Sequence, residues 1–393
     1  RDPVRHIPCD YARGVSSVST FVKRTDITLL GAHTLPSRYF TSPEIFAEEG
    51  EKIFLQRWLC VGREARIAQP GEYFLQQVGA ESIIVLRDRE RGVRAYYNVC
   101  RHRGTRLCEE ATGRFSGTIQ CPYHAWTYTL DGQLVGAPSA DTIEDFDKAD
   151  WPLHRVAVAT WEGFLFINLA DDPEPLEEAY APLMGRFSRF NLPALIAHRR
   201  TDYELACNWK FVVQNYSECY HCPLVHPALV KLSPPTSGEN DLYSGPFLGG
   251  YMDIVDSSES LTLTGRCCGV TVGDLPQEDL KRVYYYSLFP NVLLSLHPDY
   301  AMYHTIWPRD AAHTLVTCEW LFHPDTLRNP AFSPDDGVEF WDQTNRQDWH
   351  VCELSQAGVQ SKSYTPGPYS RREGLSAAFD QEVLRALGHR TEW

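Results

Sequence analysis

Cys100-Arg101-His102 and Cys121-Pro122-Tyr123-His124 are two short Cys-His pairs, with eighteen residues between His102 and Cys121. Each pair offers one thiolate and one imidazole. Together they can hold one iron by two sulfurs and a second by two nitrogens, the ligand set of a Rieske [2Fe-2S] cluster. The chain must therefore fold so that two loops meet face to face. Gly104 frees the backbone after the first pair, and Pro122 turns the second sharply, so that amides can approach the sulfurs. Zinc is the competing reading, but structural zinc pairs more often run CxxC with HxxxH, and here each pair is mixed. The pattern predicts a protein that handles electrons.

With 393 residues, 43% of them hydrophobic and 12% aromatic, the chain is long enough for two domains with sizeable cores. A net charge of -14 argues against nucleic acid or an anionic membrane as partner, because neutralising phosphates needs a basic face. No apolar run approaches the roughly 20 residues of a membrane span, and the first residues lack the apolar core of a secretion signal. A cytoplasmic location is the expectation. Twelve cysteines are scattered over the chain. In a reducing compartment Cys219, Cys222, Cys267, Cys268, Cys318 and Cys352 read as reduced, mostly buried thiols.

Ser42-Pro43-Glu44 reads as a helix start, with a helix to about Arg57. Strand-like runs follow at Trp58 to Ile67, Glu72 to Val78, Ser82 to Leu86, Val93 to Val99 and Gly163 to Asn168, and the two Cys-His loops sit among them. Beyond the polar, Pro-rich Asp171 to Pro175 comes a helical segment from Leu176 to Arg189. After it lie a strand near Arg200 to Cys207 and a helix from Asn208. Strands return at Val283 to Leu288, Val292 to His297, Ala301 to Trp307 and Thr314 to Phe322. The predicted fold is α+β: a small antiparallel β Rieske domain, and a catalytic domain with a curved antiparallel sheet flanked by helices. Its divisions are an N-terminal segment, 1–55, packing with the catalytic domain, a Rieske domain over 56–168, and a catalytic domain over 169–393.

A second constellation is Glu218, His221 and His226. Glu218 and His221 are three apart and would share a helix face, while Pro223 disfavours helix at Cys222 and brings His226 in from the turn that follows. Two histidines and a carboxylate near one point suggest a metal. Satisfied polar residues at a helix end are the plainer alternative.

The runs CRHRGTRLC (Cys100 to Cys108), CPYHAWTYTLDG (Cys121 to Gly132) and NWKFVVQNYSECYHCPLVH (Asn208 to His226) resemble the alpha subunit of Rieske non-haem iron oxygenases. The resemblance spans most of the chain. It implies a mononuclear Fe(II) held by His221, His226 and a distant carboxylate. It also implies that Glu218 is not a ligand but the bridge that carries electrons from the Rieske centre of a neighbouring subunit. Most of the family has Asp there, and Glu occurs in members that act on quaternary amines. The third ligand should lie within Phe340 to Trp349, on a helix that Ser333-Pro334 starts and that runs to about Gln356. Two aspartates compete. Asp348 has Trp341, Thr344, Val351 and Cys352 at helical spacing, whereas Asp342 lies among Glu339, Asn345 and Arg346. A buried acid needs a positive neighbour, so Asp348 is the predicted ligand and Asp342 a solvated residue.

The tail Tyr364-Thr-Pro-Gly-Pro-Tyr369 resembles that of glycine betaine and other quaternary-amine oxygenases. The implied function is that of a terminal oxygenase, a cytoplasmic oxidoreductase that uses O2 to hydroxylate a C-H bond. Oxidative N-demethylation or hydroxylation of a betaine is the first expectation, aromatic-ring mono- or dioxygenation the second, and an electron carrier without catalysis the third. Electrons would come from NAD(P)H through a separate flavin/iron-sulfur reductase or a ferredoxin, because the chain has no flavin or nicotinamide fingerprint. The resemblance also implies a homotrimer. Of the aromatics Tyr284, Tyr285, Tyr286, Phe289, Tyr303, Trp307, Trp320 and Trp341, one or two should line the substrate pocket and the rest be core.

Overall fold

The computed structural model describes residues 21–27, 29 and 31–391, so the first twenty residues of the N-terminal segment lie outside the described residues. Two antiparallel sheets organise the rest. The first has seven strands in the order Leu59–Arg63, Phe164–Asn168, Arg155–Trp161, Val93–Tyr97, Glu81–Arg87, Glu72–Val78 and Thr112–Arg114. Beside it lies a three-stranded sheet of Thr118–Gln120, Thr127–Thr129 and Leu134–Gly136. Strand alternation decides which way each residue points. Along Glu81–Arg87, Ile83 and Val85 enter the largest core, while Ile84 and Leu86 join Tyr96, Cys100, Cys121, Trp126 and Tyr128 in a separate one. The two Cys-His loops thus rest on an apolar floor of their own.

The second sheet has eight strands: Val22–Lys23, Glu239–Ser244, Phe247–Asp253, Arg282–Leu288, Val292–Leu296, Ala301–Asp310, His313–Phe322 and Ile196–Leu205. Tyr284, Tyr286, Leu294, Tyr303 and Leu321 on one face pack with Phe164, Phe166, Tyr180 and Phe187. Val283, Leu293, Met302, Val316 and Trp320 on the other pack beneath the helices Trp209–Tyr216, Asp335–Val359 and Gly374–Leu387. This is the expected α+β arrangement, with a curled sheet covered by helices.

The helix Pro43–Glu49 starts where the sequence predicts. Ser42 Oγ accepts from Ile45 N at 3.1 Å, and Pro43 occupies the first helical position. It is shorter than expected and passes into a π-helical turn, Gly50–Phe54. Glu49, at its end, is buried against the next functional helix: its carboxylate takes Trp209 Nε1 at 2.8 Å and pairs with Lys210, with side-chain exposures of 1% and 0%. Trp209–Tyr216 is capped by Asn208, whose side chain accepts from Lys210 N at 3.1 Å.

The helix expected over 176–189 does not form. Leu176–Ala179 is a single helical turn, followed by 3-10 turns at Ala181–Leu183, Ser188–Phe190 and Leu192–Ala194. Pro182 and Pro193 withhold backbone donors, and Gly185 and Asn191 adopt positive φ of 72° and 47°, so the chain winds in short steps.

Candidate metal centres

Both Cys-His segments fold as matching tight turns. In the first, Gly104 N donates to Cys100 O at 3.0 Å and Cys100 N to Thr105 O at 2.8 Å. In the second, Ala125 N donates to Cys121 O at 3.1 Å and Cys121 N to Trp126 O at 2.8 Å. Gly104 and Ala125 take the left-handed conformation that closes each turn, with φ of 73° and 57°. Cys100 and Cys121 are buried, and Tyr128 Oη lies 3.4 Å from Cys100 Sγ and accepts Arg101 N at 3.1 Å. His102 and His124 face one another with ring centroids 4.7 Å apart, and Trp126 stacks on His102 at 4.9 Å. His124 Nδ1 is buried without a hydrogen-bond partner, as a nitrogen kept for a metal would be. Two buried thiols below two imidazoles that lie nearer the surface, on an apolar floor, fit the ligand set of a [2Fe-2S] cluster.

The second constellation assembles at a break between helices. Trp209–Tyr216 ends at Ser217, so Glu218 and His221 do not share a helix face as the sequence reading had it; they sit in the turn beyond. Pro223 is not a breaker either. It is the second residue of a helical turn, Cys222–Val225, and His226 occupies the junction before Pro227–Leu232 with φ −122° and ψ 65°. The turn is also cross-linked: Cys219 and Cys222 form a disulfide, Cα–Cα 5.0 Å, and are not the reduced thiols expected. That expectation came from the compartment, whereas the bond comes from the turn, which sets the two Cα atoms within disulfide range.

His221, His226 and Asp348 converge so that one ligand atom from each lies within 4.8 Å of the others. Asp348 Oδ1 is 2.7 Å from His226 Nε2 and 3.2 Å from His221 Nε2. The far nitrogens are held in turn, His221 Nδ1 donating to Glu218 Oε1 at 2.6 Å and His226 Nδ1 to Gln347 Oε1 at 2.8 Å. A carboxylate and an amide oxygen can only accept here, so each ring carries its proton on Nδ1 and presents Nε2 to Asp348. Burial would lower the pKa of His221, but the hydrogen bonds to Asp348 and Glu218 outweigh it and raise it to about 10. For Asp348 burial acts the other way and is likewise overcome, by His221 and His226, so its pKa falls. A carboxylate kept charged against two imidazole nitrogens suits a divalent cation, and two imidazoles with one carboxylate on one side are the donor set of non-haem Fe(II).

Asp348 comes from the helix Asp335–Val359, which begins after Ser333 as predicted and runs three residues further. Asp342 is kept apart from the histidines. It is not simply solvated, since it accepts Tyr203 Oη at 2.7 Å and Arg346 Nε at 2.8 Å. A cavity joins the three converging residues to Glu218, Tyr216, Tyr285, Trp341 and Trp349. Tyr285 and Trp341 are the two of the eight singled-out aromatics that reach it. Tyr216, Trp349, Gln347 and Arg24 were not found from the sequence; Gln347 and Trp349 carried a signal, flanking Asp348 on the helix.

The description "Ring hydroxylating alpha subunit (catalytic domain)" matches residues 192–389, and "Rieske [2Fe-2S] domain" matches residues 57–147. The glycine betaine monooxygenase oxygenase subunit of Chromohalobacter salexigens is 33% identical over 373 residues, 87% of this chain and 82% of that protein. The chain belongs to the ring-hydroxylating oxygenase alpha-subunit family. As a Rieske oxygenase alpha subunit it is an oxidoreductase whose cofactors are a [2Fe-2S] cluster and a non-haem iron. The carnitine monooxygenase oxygenase subunit of Acinetobacter baumannii is 39% identical over 201 residues, covering 50% of this chain and 53% of that one. Among solved structures, the quaternary ammonium Rieske monooxygenase CntA superposes with a TM-score of 0.77 at 27% identity, over 91% of this chain and 96% of that one. Naphthalene 1,2-dioxygenase from Rhodococcus sp., TM-score 0.72 at 20% identity over 90% and 94%, shares the fold. No helix among the described residues is long and apolar enough to cross a membrane.

Proposed function

We propose that this alpha subunit is the terminal oxygenase of a system that hydroxylates a quaternary amine on a methyl or adjacent carbon, with oxidative N-demethylation as the outcome for an N-methyl group. The observation that carries the reading is the cavity itself. Three aromatic rings turn corners around it, Tyr216 and Tyr285 with centroids 6.0 Å apart at 76°, and Tyr285 and Trp341 6.3 Å apart at 65°. Such walls attract a quaternary ammonium by about 0.5–2 kcal/mol per well-placed ring. The likeness to glycine betaine and carnitine monooxygenase subunits supports the same substrate class.

When bound, the iron would supply dioxygen activation and the cluster the electrons. His221, His226 and Asp348 would hold the iron, and Cys100, His102, Cys121 and His124 the cluster. Glu218 and Gln347 orient the two imidazoles, and half-buried Tyr285 with buried Trp341 would keep the reacting carbon out of water. Glu218 would also be the bridge for electrons arriving from another subunit. Exposed Tyr220 and Leu224, 55% and 89%, lie beside His221, and exposed Tyr123, 56%, lies beside His124. Apolar side chains so exposed at both centres favour a homotrimer in which each cluster docks against a neighbour's Glu218 turn. CntA is described in terms of inter-subunit electron transfer. A separate reductase or ferredoxin would feed the cluster, in the cytoplasm.

Reductase-coupled turnover against betaines, choline and simple aromatic acids, with formaldehyde as one readout, tests this. Oxidation of a quaternary amine supports the reading. Oxidation confined to the aromatic acids overturns it in favour of ring hydroxylation.

A further inference from the structure

Val22–Lys23 adds a short strand at the edge of the eight-stranded sheet, pairing with Asn240 and Glu239, and so fixes the backbone just before Arg24. The Arg24 side chain lines the cavity that holds Glu218, His221, His226 and Asp348. Its Nε is shut off from water and has no hydrogen-bond partner. Burial lowers its pKa, and the nearby Glu218 carboxylate opposes that shift through space. Arg24 is half-buried, with its Nε on the closed side of the cavity, and a guanidinium edge shut in without a bonded anion carries a cost that is relieved when an anion arrives.

Glu218 is not that anion. Its Oε1 takes His221 Nδ1 at 2.6 Å, and its Oε2 accepts the backbone amides of Tyr220 and, at 3.3 Å, His221. Asp348 is committed to the two histidines. His304, which also lines the cavity, is held neutral because burial pushes its pKa down to about 4. With a divalent ion at the three converging residues, Glu218 and Asp348 offset that ion, and Arg24 remains as a surplus positive charge. A simple cation would be repelled. A zwitterion with a carboxylate opposite Arg24 and its ammonium among Tyr216, Tyr285 and Trp341 satisfies both ends.

We propose that Arg24 is the carboxylate anchor of the substrate cavity and makes it select betaines, which carry both charges, over quaternary alcohols, which carry only the cation. The inference rests on the quaternary-amine reading above and adds the second recognition group.

The test measures KM and kcat in the reductase-coupled assay, and dissociation constants by anaerobic calorimetry, for glycine betaine and for choline. Wild type, Arg24→Gln and Arg24→Lys are compared, with circular dichroism and iron content as controls. Arg24→Gln should raise KM and the dissociation constant for glycine betaine about 10- to 100-fold, the loss of one charge-assisted contact, with little change in kcat. Choline binding should hold or improve, and Arg24→Lys should recover part of the betaine affinity. Equal weakening of both ligands, or no change in either, overturns the anchor while leaving the quaternary-amine reading intact. A wild type that neither binds nor oxidises either amine overturns both.

Discussion

Removing Asp348 should empty the mononuclear site while leaving the cluster filled. Asp348 Oδ1 lies 2.7 Å and 3.2 Å from the two imidazole nitrogens, so Asp348→Ala takes away both a donor and the negative charge that offsets a ferrous ion. Loss of a group that merely supports a ligand costs about 10- to 100-fold in metal affinity, and loss of the ligand itself should exceed that. Glu218→Gln tests the smaller effect, because an amide oxygen can still accept His221 Nδ1 but without charge. Its iron affinity should fall by at most about 10- to 100-fold, roughly 1.4–2.7 kcal/mol, and its site should fill at adequate iron. In single turnover that variant should form product slowly from a reduced cluster. Asp342→Ala should keep its iron and instead lose about 1–3 kcal/mol of stability, because the largely buried Tyr203 hydroxyl loses its acceptor. The assay is iron per chain with acid-labile sulfide as the internal standard for the cluster, together with thermal melting. If Asp342→Ala empties the site and Asp348→Ala does not, the geometric argument is wrong. If Glu218→Gln empties it as fully as Asp348→Ala, Glu218 is a ligand and not a bridge.

Lys210→Met should cost about 3–5 kcal/mol, because it leaves buried Glu49 facing Trp209 Nε1 alone, and adding Glu49→Gln should recover most of the loss in a denaturant melt. Asp380 accepts Gln214 Nε2 at 2.6 Å and Tyr369 Oη at 2.7 Å, yet burial outweighs them and pushes its pKa to about 7. A raised folded pKa gives stability that is full below about pH 4 and lost as pH rises through 7. Melting temperatures between pH 5.5 and 8 should therefore flatten in Asp380→Asn, and an unchanged slope would refute the assignment. His102→Cys or His124→Cys should lower the cluster's reduction potential, since a thiolate adds negative charge where a neutral imidazole sat. An unchanged potential and Rieske spectrum in both would mean the cluster lies elsewhere.

Local chemistry made much of this protein legible from its sequence. The spacing of Cys100, His102, Cys121 and His124 demanded two facing loops, and the strands Glu81–Arg87 and Arg282–Leu288 were readable because a strand buried on both faces shows as a short run of branched and aromatic residues between turns. Asp348 was separable from Asp342 because a helix repeats every 3.6 residues and puts only one of them on the Trp341–Cys352 side.

Tertiary structure alone decided whatever depends on residues far apart in the chain. The helix expected over 176–189 is a separate case, since Pro182 and Gly185 within it are local signals that break it into short turns packed against the sheet. Gln347 and Tyr216 acquire their places only when the helices Trp209–Tyr216 and Asp335–Val359 pack together. Arg24 is the clearest case. Read along the chain it is one charge beside Lys23, and it becomes a cavity residue because Val22–Lys23 joins a sheet edge more than two hundred residues away in sequence. Ligand spacing and periodicity are short-range properties that a sequence displays, whereas a cavity is made by long-range packing and its charge balance exists only once that packing is complete.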